Sequence, residues 1–221
     1  WGTPSHENIT RIAHMLKGKN IKYLIIDAGW YAESGKSWES NMGDWHISPE
    51  LFPQGLEATV QEIRDNGMIP GIWFEIENCG PLAQVFTWED HLLKRDGTPI
   101  TSGQRRFWDF NDPFVIDYLE SKIINFIKKF NFGYLKIDYN ETIGIGCDHS
   151  DSLGEGLRVQ MEAVQAFFCK NQKECPQLVI ENCSSGGHRL EPSMLGLTSM
   201  SSFSDAHEEL EIPIIAANMH R

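Results

Sequence analysis

Acidic residues recur in this sequence where short apolar runs stop. The clearest case is Tyr134-Leu135-Lys136-Ile137-Asp138-Tyr139-Asn140, an apolar strand that ends in charge. Side chains alternate across a strand, so Lys136, Asp138 and Asn140 share one face while Leu135, Ile137 and Tyr139 share the other. Similar endings close the runs Ile21 to Asp27, Met68 to Phe74 (followed by Glu75 and Glu77), Arg105 to Phe110 (through Asp109), Leu178 to Ile180 (followed by Glu181) and Met200 to Ser204 (followed by Asp205). One such carboxylate is as readily an ion-pair partner as a reactive group. A series of them, brought by the fold to a single mouth, favours chemistry. Trp30 and Trp73 stand among these acids, and a flat apolar ring beside carboxylates suits a ligand with one apolar face and many hydroxyls.

Two carboxyl groups on opposite sides of a glycosidic bond carry out a double displacement, one as nucleophile, the other as acid and then base. Asp138 and Asp205 are the expected pair. Lys136, two residues before Asp138 on the same face, is expected to hold it ionised. Asp205 has no basic neighbour in sequence and is expected to keep a proton near neutral pH. Retention of configuration requires the two groups to lie about 5 to 5.5 Å apart.

Helices alternating with these strands must hold the acids in place. Ser5 is placed to cap a helix carrying Ile9, Ile12, Ala13 and Leu16. Leu56, Val60 and Ile63 mark a second helix that Gly67 ends, and Asp112 with Pro113 opens a third running through Leu119, Ile123, Phe126 and Ile127 toward Gly133. Leu157, Met161, Val164 and Phe168 trace a fourth, and Ile212 to Met219 begins a fifth. The stretch from Tyr31 to Pro53, with Trp38 and Trp45, is long for a loop and reads as functional, while Asp96-Gly97 marks a hairpin turn. Strand then helix, with no internal linker, gives an α/β chain with a parallel sheet in one domain, and acids gathered at the carboxyl ends of strands are the layout of a (β/α)8 TIM barrel. The strand count falls short of eight, so the first and last strands are expected outside the chain. Opening at Trp1 and stopping at Arg221, the sequence reads as an internal piece of a longer protein.

Formal net charge is −12, from 19 Lys and Arg against 31 Asp and Glu, with the basic residues scattered; nucleic acid and anionic membranes are therefore disfavoured partners. No apolar run reaches the roughly 20 residues of a membrane helix. A neutral oligosaccharide or glycoconjugate fits better, and oligomerisation stays open. Five cysteines without a C-x-x-C pair read as thiols and lean toward a cytoplasmic setting without fixing it. Cys147, Asp148 and His149 adjoin, but no second cluster with metal spacing accompanies them, so neither a metal nor another cofactor is expected.

Taken in order, the motifs resemble those of the melibiase-type α-galactosidases of glycoside hydrolase family 36. Leu24-Ile25-Ile26-Asp27-Ala28-Gly29-Trp30 resembles the family's Asp-Asp-Gly-Trp strand end, and Gly43-Asp44-Trp45 through Phe52-Pro53-Gln54-Gly55-Leu56 resembles its Gly-Asp-Trp and Phe-Pro-x-Gly-Leu run. Gly71-Ile72-Trp73-Phe74-Glu75-Ile76-Glu77 is similar to Gly-Leu-Trp-Phe-Glu-Pro-Glu, Lys136-Ile137-Asp138-Tyr139-Asn140 to Lys-Trp-Asp-Met-Asn, Glu181-Asn182-Cys183-Ser184-Ser185-Gly186-Gly187 to Glu-Ser-Cys-Ser-Gly-Gly-Gly, and Ser204-Asp205 to the family's Ser-Asp. The resemblance implies a retaining α-glycosidase that acts on terminal α-galactosides, or a related α-linked sugar, through a covalent glycosyl-aspartate. It implies Asp138 as nucleophile, Asp205 as acid/base, Asp27, Trp30, Trp73, Lys136 and Cys183 as substrate-binding residues, and β domains flanking a catalytic segment that occupies residues 1–221. Three departures bear on sugar identity: Ala28 stands where the family has Asp, Ser185 where it has Gly, and the Arg expected before the fourth strand has only Arg105 and Arg106 as displaced candidates. A transglycosylase using the same intermediate remains open. So does a non-catalytic carbohydrate-binding barrel, against which the presence of both Asp138 and Asp205 counts.

Overall fold

The computed structural model describes residues 2–205 and 210–218. Its strands are β1 (Tyr23–Ile26), β2 (Ile69–Phe74), five short ones, β3 (Asn78–Cys79), β4 (Lys94–Arg95), β5 (Thr98–Pro99), β6 (Thr101–Ser102) and β7 (Arg105–Phe107), and then β8 (Tyr134–Ile137), β9 (Val179–Asn182) and β10 (Met200–Ser201). One sheet takes β1, β2, β8, β9 and β10 in that order, every neighbouring pair parallel. Consecutive parallel neighbours with helical crossovers are the winding of a (β/α) barrel, here an open part of one.

Register explains why these runs are apolar. Ile26, Ile72, Leu135 and Ile180 lie level across the sheet and are essentially unexposed, facing the helices. One residue further along, Trp73, Lys136, Glu181 and Met200 form a row on the opposite, concave face. The convex face packs against Val60 and Ile63 of α2 (Leu56–Asp65), Leu119 of α3 (Pro113–Leu119), Ile127 of α4 (Asn125–Phe130), and Val164 and Phe168 of α5 (Leu153–Glu174).

Local chemistry starts the helices, at Ser5 and Asp112 as the sequence predicts and at Ser152, which it does not single out. Before α1 (His6–Leu16), Ser5 Oγ accepts from Asn8 N at 3.2 Å; before α3, Asp112 Oδ1 accepts from Phe114 N at 2.8 Å; before α5, Ser152 Oγ accepts from Glu155 N at 3.1 Å. Each bond satisfies an amide that the first turn leaves without a partner. The third expected helix is continuous in course but holds a π turn, Glu120–Ile124, between α3 and α4. After β9 come α6 (Ser184–Gly187), α7 (Pro192–Leu195) and, past β10, α8 (Glu211–Asn218). Met219, the expected end of that last helix, lies outside the described residues, as do Trp1 and Arg221.

Two expectations need correction. The run from Arg105 is not a barrel strand: β7 pairs antiparallel with β3 and β6, so Asp109 closes a side hairpin and its Oδ1 accepts from Asn111 N at 2.9 Å. No crossover separates β6 from β7, and a two-residue link permits only antiparallel pairing. The parallel sheet therefore has five described strands, not the six inferred from the acids. The Asp96-Gly97 turn does join a hairpin, β4 with β5, through φ angles of 52° and 74° that suit a type I′ turn. No described helix is long and apolar enough to cross a membrane.

Candidate active site

Asp138 follows β8 directly, and its N–H continues the sheet by donating to Phe74 O at 2.8 Å. Its carboxylate is nearly buried and surrounded by donors. Oδ1 accepts from Tyr139 N at 2.9 Å and from Ser185 N at 2.8 Å, and Oδ2 accepts from Trp73 Nε1 at 3.2 Å. Burial pushes this carboxyl up, but the Ser185 amide, the Asn140 side chain, the Tyr139 amide and the Trp73 indole together hold it below the ordinary carboxylate range. Lys136 is not what keeps it ionised. Lys136 Nζ reaches past β2 to lie 3.0 Å from Asp27 Oδ2, so the lysine charge is paired with Asp27.

Asp27 is the exposed member of that pair; its second oxygen accepts from Ala28 N at 2.8 Å. Cys183 follows β9 and is buried, with its thiol pushed up to about 12 first by burial and then by the Asp138 charge, so it stays protonated. The turn beyond Cys183 joins the two candidate reactive groups. Ser185 N binds Asp138, and the next residue, Gly186 (φ 70°), lies so close to Asp205 that an added Cβ would stand 2.8 Å from its Cγ and 2.3 Å from its N. Asp205 itself is exposed, while Asp138 is buried.

The tryptophans lie deeper than expected. Trp30 is fully buried, and its Nε1 donates to Trp73 O at 2.9 Å, so in this conformation it supports the end of β2 and presents no face to a ligand. Trp73 is buried as well, covered by Tyr31 stacked at 6.2 Å and by Trp38 edge-on at 5.4 Å. Loop length explains this: Tyr31 to Pro53 folds back over the strand ends and carries Trp45 into the core, and its short Trp38–Ser40 turn stands with Tyr31 over Trp73. Glu181 lies within β9, where Tyr134 Oη donates to it at 2.6 Å and Ser202 Oγ at 2.7 Å, so it serves the concave wall and not the cleft mouth.

Several residues of this site carried little signal in sequence. Arg105 is buried, with Nη1 3.6 Å from Glu75 Oε1, Nη2 3.3 Å from Glu39 Oε1 and its guanidinium 5.3 Å from the Trp38 ring. Arg106, the other displaced candidate, turns away to Glu89 and Phe86. Strand alternation distinguishes them, because Arg105 shares its face with the buried Phe107. Arg189 grips Glu77 with both nitrogens and lies 3.6 Å from the centre of the Tyr139 ring, a buried pair that nothing in sequence announced. Among the described residues no group of His, Cys, Asp and Glu is arranged to hold a metal ion.

Comparison with known proteins gives consistent results. A family model described as Melibiase matches residues 4–217. α-Galactosidase 2 of Pediococcus pentosaceus is 28% identical over 215 residues, covering 93% of this chain and 29% of its own length. An Escherichia coli α-galactosidase is 24% identical over 205 residues, 92% of this chain and 28% of its own. Among solved structures, a variant of the family 36 α-galactosidase AgaA from Geobacillus stearothermophilus in complex with raffinose superposes with a TM-score of 0.87 at 23% identity, over 96% of this chain and 30% of that one. The chain thus spans less than a third of the length of these relatives.

Proposed function

The chain belongs to the melibiase family, and from that premise we propose that it is the catalytic barrel segment of a retaining α-glycoside hydrolase acting on terminal α-galactosides or a closely related α-linked sugar. The observation that carries the reading is the Cys183–Gly187 turn, which donates an amide to Asp138 and packs against Asp205, so that an ionised carboxylate and an exposed carboxyl both contact one turn. Asp138 attacks the anomeric carbon while Asp205 gives its proton to the departing oxygen. Water, deprotonated by Asp205, then releases the sugar from Asp138. Asp27 and Lys136 form a charged pair at the mouth that suits sugar hydroxyls, and Cys183 lines the wall as a neutral thiol. With Trp73 buried, sugar contact requires the Trp38–Ser40 turn to move aside; until then its indole steadies Asp138. Ala28 leaves Asp27 without a second acid at this strand end, so discrimination at the sugar's 4- and 6-hydroxyls should be weak. The solved relative's raffinose complex fits an oligosaccharide substrate. We further place residues 1–221 in a longer polypeptide whose other segments complete the barrel and flank it.

The test is hydrolysis of an aryl α-glycoside panel, including galactose and 6-deoxygalactose, by the full-length protein. α-Galactosides should turn over, the first-formed sugar should be the α anomer, the 6-deoxy substrate should lose less than about a hundredfold, and Asp138→Asn should abolish activity. A β anomer, or an Asp138–Asp205 separation of about 6.5 to 9.5 Å, rejects the retaining mechanism. Added sugar acceptors distinguish hydrolysis from transfer by the products formed.

A further inference from the structure

Glu75 is a buried carboxyl that the double displacement leaves unused. It follows β2, has no exposed surface, and the described groups that reach its oxygens are donors. Asn140 N donates to Oε1 at 2.9 Å, Asn140 Nδ2 to Oε2 at 2.7 Å, and Arg105 Nη1 lies 3.6 Å from Oε1. Asn140 is two residues beyond Asp138, and its amide also supports the Asp138 carboxylate. Through Arg105, Glu75 is linked to Glu39 and to the Trp38–Ser40 turn above Trp73.

We propose that Glu75 is a positioning residue whose carboxylate orients Asn140 and, through it, fixes Asp138 for attack. The proposal rests on Asp138 being the nucleophile. Protonated Glu75 carries an O–H that faces only the donors of Asn140 and Arg105, so at least one of these contacts must open; the ionised form alone satisfies all three. The charged and titratable groups around it are Arg105 on β7, Asp138 beyond β8 and Tyr31 in the loop after β1. Burial pushes Glu75 up to about 7, against the pull of Arg105 and the Asn140 donors, with Asp138 adding to the rise. The contacts are therefore complete above neutrality and partly open below it, and kcat/KM should rise through a limb near pH 7 that belongs to Glu75.

In the full-length enzyme, Glu75→Gln places an amide NH2 against these donors. The expected result is a fall in kcat of about 10- to 100-fold with KM nearly unchanged, and loss of the limb near pH 7. Asn140→Ala should lower kcat similarly. A second readout needs no turnover: in substrate-free wild type the Asp138 carboxyl-carbon resonance should show a step near pH 7 as Glu75 titrates, a step absent from Glu75→Gln, and Asn140→Ala should raise the Asp138 pKa by removing the donor that Asn140 supplies. A wild type without that step near pH 7, or an Asp138 titration unchanged in Asn140→Ala, overturns the proposal, as does a Glu75→Gln enzyme with wild-type rate and pH profile. Should Glu75→Gln fail to fold, Asn140→Ala carries the NMR test alone. A wild type inactive on every α-glycoside would reject the hydrolase reading, while the Asp138 titration would still decide whether Glu75 acts through Asn140.

Discussion

Burial pushes the Asp138 and Glu75 carboxyls the same way, yet they finish on opposite sides of the ordinary range. Asp138 has two backbone amides and an indole in direct contact, enough to outweigh desolvation; Glu75 has Asn140 and a more distant arginine, and desolvation wins. Stability follows with opposite signs. The raised Glu75 pKa means the folded state holds its proton more tightly than the unfolded chain, so Glu75's contribution is fully present below its unfolded value of 4.5 and is lost as pH rises to about 7. At about 1.4 kcal/mol per unit, that loss is about 3 kcal/mol. The Asp138 contribution is present above the ordinary carboxylate range and is lost as pH falls through its depressed pKa. Urea unfolding of wild type and Glu75→Gln at pH 4.5 and pH 8 should accordingly show the variant gaining about 2 to 3 kcal/mol relative to wild type at the higher pH, the cost of any broken contact cancelling in the difference. A wild-type-to-variant gap independent of pH would mean that Glu75 does not titrate in this window. Asp138, Asp27 and Lys136 were legible in sequence because strand alternation fixes which side chains share a face. The tie of Glu77 to Arg189 spans 112 residues, and local pattern holds no record of such a partner.

At the scale of elements, caps and apolar spacing placed the starts of α1 and α3, because the capping bond is made within three residues of the residue that supplies it, while α5 was traced by its apolar spacing without its Ser152 cap. Strand pairing is a different matter. The alternation at Arg105–Phe107 signals a strand but not its neighbour, and the choice of β3 and β6 over the barrel was invisible until the connections were known. The α6 turn shows what the Cys-Ser-Ser-Gly-Gly sequence accomplishes. Ser184, Ser185, Gly186 and Gly187 all have positive φ, a strained run for the two serines, and it lets the backbone pass between Asp138 and Asp205. Gly186→Ala would add about 1 kcal/mol or more of left-handed strain and push directly on Asp205. Its expected signature is a loss of activity of about 100-fold with helix content retained and Asp138 still reactive toward a covalent α-galactoside label. Activity close to wild type would show that the turn does not set the position of Asp205.

At the scale of the molecule, the apolar alternation made the parallel α/β class legible, while closure of the sheet depends on strands that the described residues do not supply. Among the described residues β1 pairs with β2 alone and β10 with β9 alone, so both described ends of the sheet offer unpaired backbone groups. The concave face is left open as well: Met200, level with Glu181 in the inner row, is 49% exposed, unlike a side chain of a filled barrel interior. Closing an eight-stranded barrel would cover both at once, pairing the edges and filling the interior with side chains in layers. The match covers 30% of the solved relative, and the longer polypeptide proposed above would have room for those strands. Residues 1–221 expressed alone should therefore self-associate or precipitate, as judged by size-exclusion chromatography and light scattering. The full-length protein should bury Met200 and protect the β1 and β10 amides from hydrogen exchange. A monomeric, cooperatively unfolding 1–221 chain would show that the five strands close their own core and would reject the barrel-segment reading at its base.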